Sequence, residues 1–159
     1  MTAEFPTAVH ALVYLHHKGA VVPSAELADN ICTNPARVRK IMAALCRAGL
    51  AFATEGRASG YHTGPEAGAV TLRQVADALG EVPVAVSWRS GDVDRECLVS
   101  SGMAAAMDGV YGLLNDRCRD ALAELTIEQI SRSVLIRKKN GGLSAADQQG
   151  GNHNGKPKV

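Results

Sequence analysis

The sequence predicts a mainly α-helical fold with a small β-wing: a winged helix-turn-helix followed by a long C-terminal dimerisation helix. Three observations carry that expectation. Residues 24–50, SAELADNICTNPARVRKIMAALCRAGL, read as two helices about one tight turn. A glycine-rich loop between two short apolar runs follows at residues 50–63. Farther on, Met103, Met107, Val110, Leu114, Cys118, Ala121 and Leu125 recur at steps of three and four. That stripe is too long and narrow for a small wing domain to cover, and it implies a partner helix from a second copy of the chain. The expected division is 1–80 for the DNA-binding unit, 81–97 for a connector, 98–136 for the dimerisation helices and 137–159 for a disordered basic tail.

Phe5 to Lys18 is apolar nearly all round and stopped by Gly19, so it is expected as a buried first helix. Ser24 is expected to cap the next helix, with Ala25, Leu27 and Ala28 as its packing positions. Asn34 and Pro35 then open a third helix, and Gly49 closes it. Within it Val38, Ile41, Met42 and Leu45 fall at i, i+3, i+4 and i+7, so one stripe faces a core. Ala36, Lys40, Ala43 and Arg47 point the other way, with Arg37 and Arg39 on the flanks.

Leu50–Thr54 and Tyr61–Thr63 are expected as two short strands around the loop Glu55-Gly56-Arg57-Ala58-Ser59-Gly60. Thr71 with Gln74, and Thr126 with Gln129, have the spacing of capping boxes. They should open helices ending near Leu79 and Ile136. Between them Gly80–Glu96 reads as a connector holding the one tryptophan, Trp88, and a long helix runs from about Leu98 to Leu125.

Charge distribution points to the partner. Residues 31–54 carry four basic side chains and no acid, whereas residues 1–136 as a whole are mildly acidic. A solvated helix face competes with that reading, but such a face usually mixes in glutamates. Ala36 and Ala43 among the cations would instead let the helix approach a groove closely. Double-stranded DNA is therefore the expected partner. Ser24, Asn34, Ala36, Arg37, Arg39, Lys40, Arg47 and Arg57 are the candidate contacts. Asn34, Ala36, Arg37 and Lys40 would meet base edges, and Arg39, Arg47 and Arg57 would meet phosphates.

A protein-interaction module that keeps the fold without reading DNA is the alternative, motivated by Glu55 and Ser59 in the wing. No nucleophile–base pair, phosphate loop or metal-ligand spacing supports an enzyme. The 46% hydrophobic and 21% charged fractions are those of a soluble globular chain. Without a membrane-length apolar run or a secretory pattern, a cytoplasmic location with reduced cysteines is expected.

The motifs AVHALVYL, TNPARVRKIMAALCRAGL, GRASGY, VTLRQVADAL and ECLVSSGMAAAM together resemble the IscR/NsrR/CymR-type (Rrf-two) family of bacterial transcription regulators. The resemblance covers residues 5–136, and TNPARVRKI is most similar to the YwnA-like subgroup, whose members generally lack iron–sulfur clusters. It implies a homodimer paired through the long helix, expected to repress from a palindromic operator, with a redox or stress signal as candidate input. The wing departs from the family pattern: Glu55 stands where an arginine is expected, and Ser59 replaces the first of two paired glycines.

The resemblance also frames the sensor question. Cluster-binding relatives carry three cysteines spaced six apart, but here Cys97 is followed at that spacing by Met103 and Gly109. Other relatives use two separated cysteines with a first-helix histidine and glutamate. Cys97, Cys118 and His10 occupy similar places, whereas Pro6 stands at the glutamate position. No cofactor and no metal is therefore expected. Cys97, Cys118 and His10 remain the candidate redox-sensing residues, and an intersubunit cluster or a helix break at Gly102, Gly109 or Gly112 is left open. Glu96 is expected to raise the Cys97 pKa, and Cys32 and Cys46 are read as structural.

Overall fold

The last helix of this chain folds back onto its first. The structure, a computed structural model, describes residues 1–141 except 57 and 87, with the backbone alone for 137–141. Arg57 of the wing and residues 142–159 of the expected basic tail thus lie outside the described residues.

α1 (Glu4–Lys18) buries Ala8, Ala11, Leu12 and Leu15, and Gly19 ends it in the left-handed conformation. The expected all-round burial is corrected to one stripe, because Pro6, His10 and His17 are exposed. α2 (Ser24–Ile31) starts one residue earlier than expected. Pro23 is its N-cap and accepts the first helical hydrogen bond from the Leu27 N–H at 3.0 Å, so Ser24 is already inside the helix and caps nothing. Ala25 is exposed, lying some 200° from buried Leu27 on the wheel at about 100° per residue.

α3 (Pro35–Arg47) buries the four expected side chains, Val38, Ile41, Met42 and Leu45. Each contributes roughly 1.5–3 kcal/mol by leaving water. Leu50 and Ala51 continue into the core, so the first strand is shorter than expected and the second begins one residue early: β1 (Phe52–Thr54) pairs antiparallel with β2 (Gly60–His62), Phe52 opposite His62 and Thr54 opposite Gly60. Val22 adds a third partner, exchanging backbone hydrogen bonds with Tyr61 at 2.8 and 2.9 Å. A short 3-10 helix, Pro65–Ala69, was not anticipated.

α4 (Leu72–Leu79) carries the complete Thr71–Gln74 capping box. The Thr126–Gln129 box also forms, with the Thr126 N–H donating to Gln129 Oε1 at 2.8 Å. The two boxes meet: Leu72 N–H donates to Leu125 O at 2.8 Å and Ile127 N–H to Val70 O at 2.9 Å. α5 (Leu98–Ala123) therefore leaves the reading unit and its chain returns beside α4. α6 (Ile127–Gly141) then packs along α1, five residues longer than expected. Ile127 is fully buried with the core, and His16 Nε2 lies 2.9 Å from Glu128 Oε2 across the α1–α6 contact.

Along the connector, Asn115 of α5 holds both backbone groups of Val84, accepting its N–H at 2.8 Å and donating to its carbonyl at 3.2 Å. Trp88 is 75% exposed. α5 runs unbroken through Gly102, Gly109 and Gly112 and buries none of its residues.

Candidate nucleic-acid interface

α3 is presented by its cap and its buried stripe. Asn34 accepts the Arg37 N–H on its side chain at 2.8 Å, satisfying one orphan donor and fixing the first turn. With Val38, Ile41, Met42 and Leu45 buried, the helix cannot rotate, so Ala36, Arg37, Arg39, Lys40, Ala43 and Arg47 are all exposed. No acidic residue lies in the first turn of α3. Its N-terminal backbone N–H groups and positive dipole end are therefore open to an anion.

The cations are not equivalent. Among the described residues Arg37, Arg39 and Arg47 have no carboxylate partner. Lys40 has one: its Nζ lies 2.6 Å from Glu4 Oε1 at the start of α1. The pairing spans 36 positions, and no local pattern announces it. Burial pushes the Tyr61 phenol up, Cys46 adds to that and Arg39 opposes it. In the wing, Phe52 and His62 stack at 5.5 Å, and Glu55 and Ser59 are exposed at the tip.

The candidate sensor residues are scattered. His10 shares a hydrogen bond between its Nε2 and Asn30 Oδ1 at 3.0 Å, on the exposed side of α1. Cys97 is the N-cap of α5 and Cys118 lies near its other end. The unbroken helix separates them by about 30 Å at 1.5 Å per residue. The expected effect of Glu96 is overturned. Backbone N–H groups of Ser100 and Val99 draw the exposed Cys97 thiol below its ordinary pKa, the usual action of a helix N-terminus on a thiolate. Burial pushes the Cys46 thiol up, in keeping with a structural role. Cys32 is exposed instead of structural in the core sense, and it forms the left-handed cap of α2.

Residues 1–133 match the Rrf2 family model, described as an iron-dependent transcriptional regulator. The chain belongs to the Rrf2 family. Its winged helix is thus that of a DNA-binding transcription regulator. Solved structures share the fold. A protein from Lactobacillus plantarum described as a transcriptional regulator superposes with a TM-score of 0.73 at 20% identity, covering 93% of this chain and all of that one. CymR (YrzC), the global cysteine regulator of B. subtilis, gives 0.61 at 19% identity, covering 84% of this chain and 96% of its own. T. potens IscR gives 0.59 at 14% identity over 95% and 93% of the two chains. No curated protein matches significantly.

The iron in the family description can be tested against the donor set of this Rrf2 chain. Among the described residues no three His, Cys, Asp or Glu side chains stand close enough to hold a metal ion. Met103 and Gly109 follow Cys97 where thiolates would be needed, and Cys118 is a helix length away. The described residues of one chain do not fit an iron–sulfur cluster. No helix among the described residues is long and apolar enough to cross a membrane.

Proposed function

We propose that this Rrf2 chain works as a homodimeric repressor on a palindromic operator and carries no cluster of its own. One observation supports DNA reading above the rest: α3 is locked by four buried side chains while three arginines without carboxylate partners stand exposed on it, among the described residues. Asn34, Ala36 and Arg37 lie at the N-terminal end, where a recognition helix meets base edges. Arg39 and Arg47 take the phosphates, and Arg57 keeps its expected phosphate role.

Dimerisation rests on apolar surface left without a partner. α5 exposes Val110, Leu113 and Leu114, and α6 exposes Val134, Leu135 and Ile136. An open groove of about 620 Å³ between α1 and α6, floored by Val9, Val13, Ile130 and Val134, adds to that surface. A second copy of the chain would cover these faces and give the two-fold symmetry that a palindrome requires. Cys97 is the side chain best suited to a redox input, because it is exposed at a helix N-terminus that draws its thiol below the ordinary pKa.

Footprinting of anaerobically isolated protein on the promoter beside its own gene tests the reading. The expected result is two symmetric protected half-sites, centred roughly 34–36 Å or a multiple apart, from colourless, iron-free protein. Absence of protection at low salt would overturn DNA reading and favour the protein-interaction module. A chromophore with stoichiometric iron would overturn the cluster-free part alone.

A further inference from the structure

We propose that Glu4 of α1 is a positioning residue for the DNA-reading helix. It holds the Lys40 ammonium against the protein and so withholds one of the four α3 cations from DNA. The inference rests on the DNA-binding reading above. Its geometry is independent of that reading.

The carboxylate is the better-anchored partner. Glu4 lies in the first turn of α1, where the positive end of the helix favours an acid. Its backbone N–H donates to Thr2 Oγ1 at 3.2 Å. The Glu4 side chain is 30% exposed and that of Lys40 71% exposed, so the acid is held near the body while the ammonium reaches across to it. Neighbouring Arg37, Arg39 and Arg47 lack such a partner among the described residues, so the effect singles out Lys40.

The Glu4 carboxylate is partly buried, so this pair is screened less than one between two fully exposed groups. A duplex presents a phosphate charge about every 1.7 Å along its axis, so Lys40 released from Glu4 would find one at once. With the pair intact, Lys40 neither reads bases nor releases counterions. α3 then relies on its arginines, whose planar forks bind bidentately where an ammonium acts only as a point charge. Glu4 thereby lowers sequence-independent attraction and leaves arginine readout untouched.

The experiment is a salt titration of binding to operator and to random duplex by full-length native protein, Glu4→Gln, Lys40→Ala and the double variant. Thermal unfolding of each confirms the fold. Glu4→Gln should steepen the log–log salt slope by about 0.9, which amounts to roughly eightfold tighter binding at 0.1 M salt, on both duplexes alike. Lys40→Ala alone should leave the native slope nearly unchanged, and in the Glu4→Gln background it should erase the gain.

Three results would overturn the proposal. The first is a Glu4→Gln variant with slope and affinity unmoved; the second is a gain that persists in the double variant, meaning that Glu4 repels phosphates directly; the third is a slope flattened by a full contact in Lys40→Ala alone. Native protein that binds neither duplex at low salt would instead remove the DNA-binding reading beneath it.

Discussion

The turn between α2 and α3 passes through Cys32, whose φ of 58° makes it the one non-glycine residue in the left-handed region among the described residues. There its N–H donates to Asp29 O at 3.0 Å, and Thr33 N–H donates to Ala28 O at 2.9 Å, closing α2 as a glycine normally would. A side chain in this conformation costs roughly 1–2 kcal/mol. Glycine avoids that cost but loses some of the gain to chain entropy. Cys32→Gly should therefore stabilise the fold by about 0.5–1 kcal/mol, read as a higher denaturation midpoint at unchanged slope. A lower midpoint would mean that the Cys32 side chain contributes packing its exposure does not suggest. At this scale legibility followed locality. Asn34 and both capping boxes could be read because their partners lie three positions away. Cys32 could not, because a β-carbon at positive φ leaves no composition signal. Nor could the Lys40–Glu4 pair, because its carboxylate lies on another helix.

Among the elements, the wing shows why one glycine of the expected pair can be lost and the other cannot. A β-carbon on Gly60 would stand 2.5 Å from the Val22 carbonyl oxygen and 2.8 Å from its carbon, both backbone atoms that cannot swing aside. Position 59 is exposed, so serine is tolerated there. Gly60 thus permits the close approach through which Val22 and Tyr61 exchange their two hydrogen bonds, tying the wing to the segment before α2. Gly60→Ala should cost about 1–3 kcal/mol, as overpacking of a tight site does. It should also speed hydrogen exchange at the Tyr61 and Val22 amides, while Ser59→Ala changes neither. Equal stability of both variants would show that the wing shifts freely. The strand ends and the 3-10 helix were hidden for a related reason: three-residue strands and a Pro-Glu-Ala-Gly-Ala turn are decided by what they pack on.

For the whole molecule, the long stripe was legible as a period but not as a direction. The structure divides it. Met107 and Cys118 turn half-buried toward their own chain with Tyr111, Asn115 and Leu122, while Val110 and Leu114 remain 45% and 44% exposed. Asn115, through Val84, fixes which side faces inward, and a connector residue 31 positions away gives no periodic sign of doing so. The exposed row is thus the side available to a second copy, whereas the inward row is already committed. That division yields a sharp test by sedimentation of the native chain and of Val110→Glu with Leu114→Glu. The native chain should be dimeric at micromolar concentration. The double variant should be monomeric with unchanged helix content, because two carboxylates buried at a helix pair lack partners. The monomer should also lose operator binding far more than random-duplex binding, since only a pair spans two half-sites. A native monomer, or a double variant that stays dimeric, would move the contact off this face of α5.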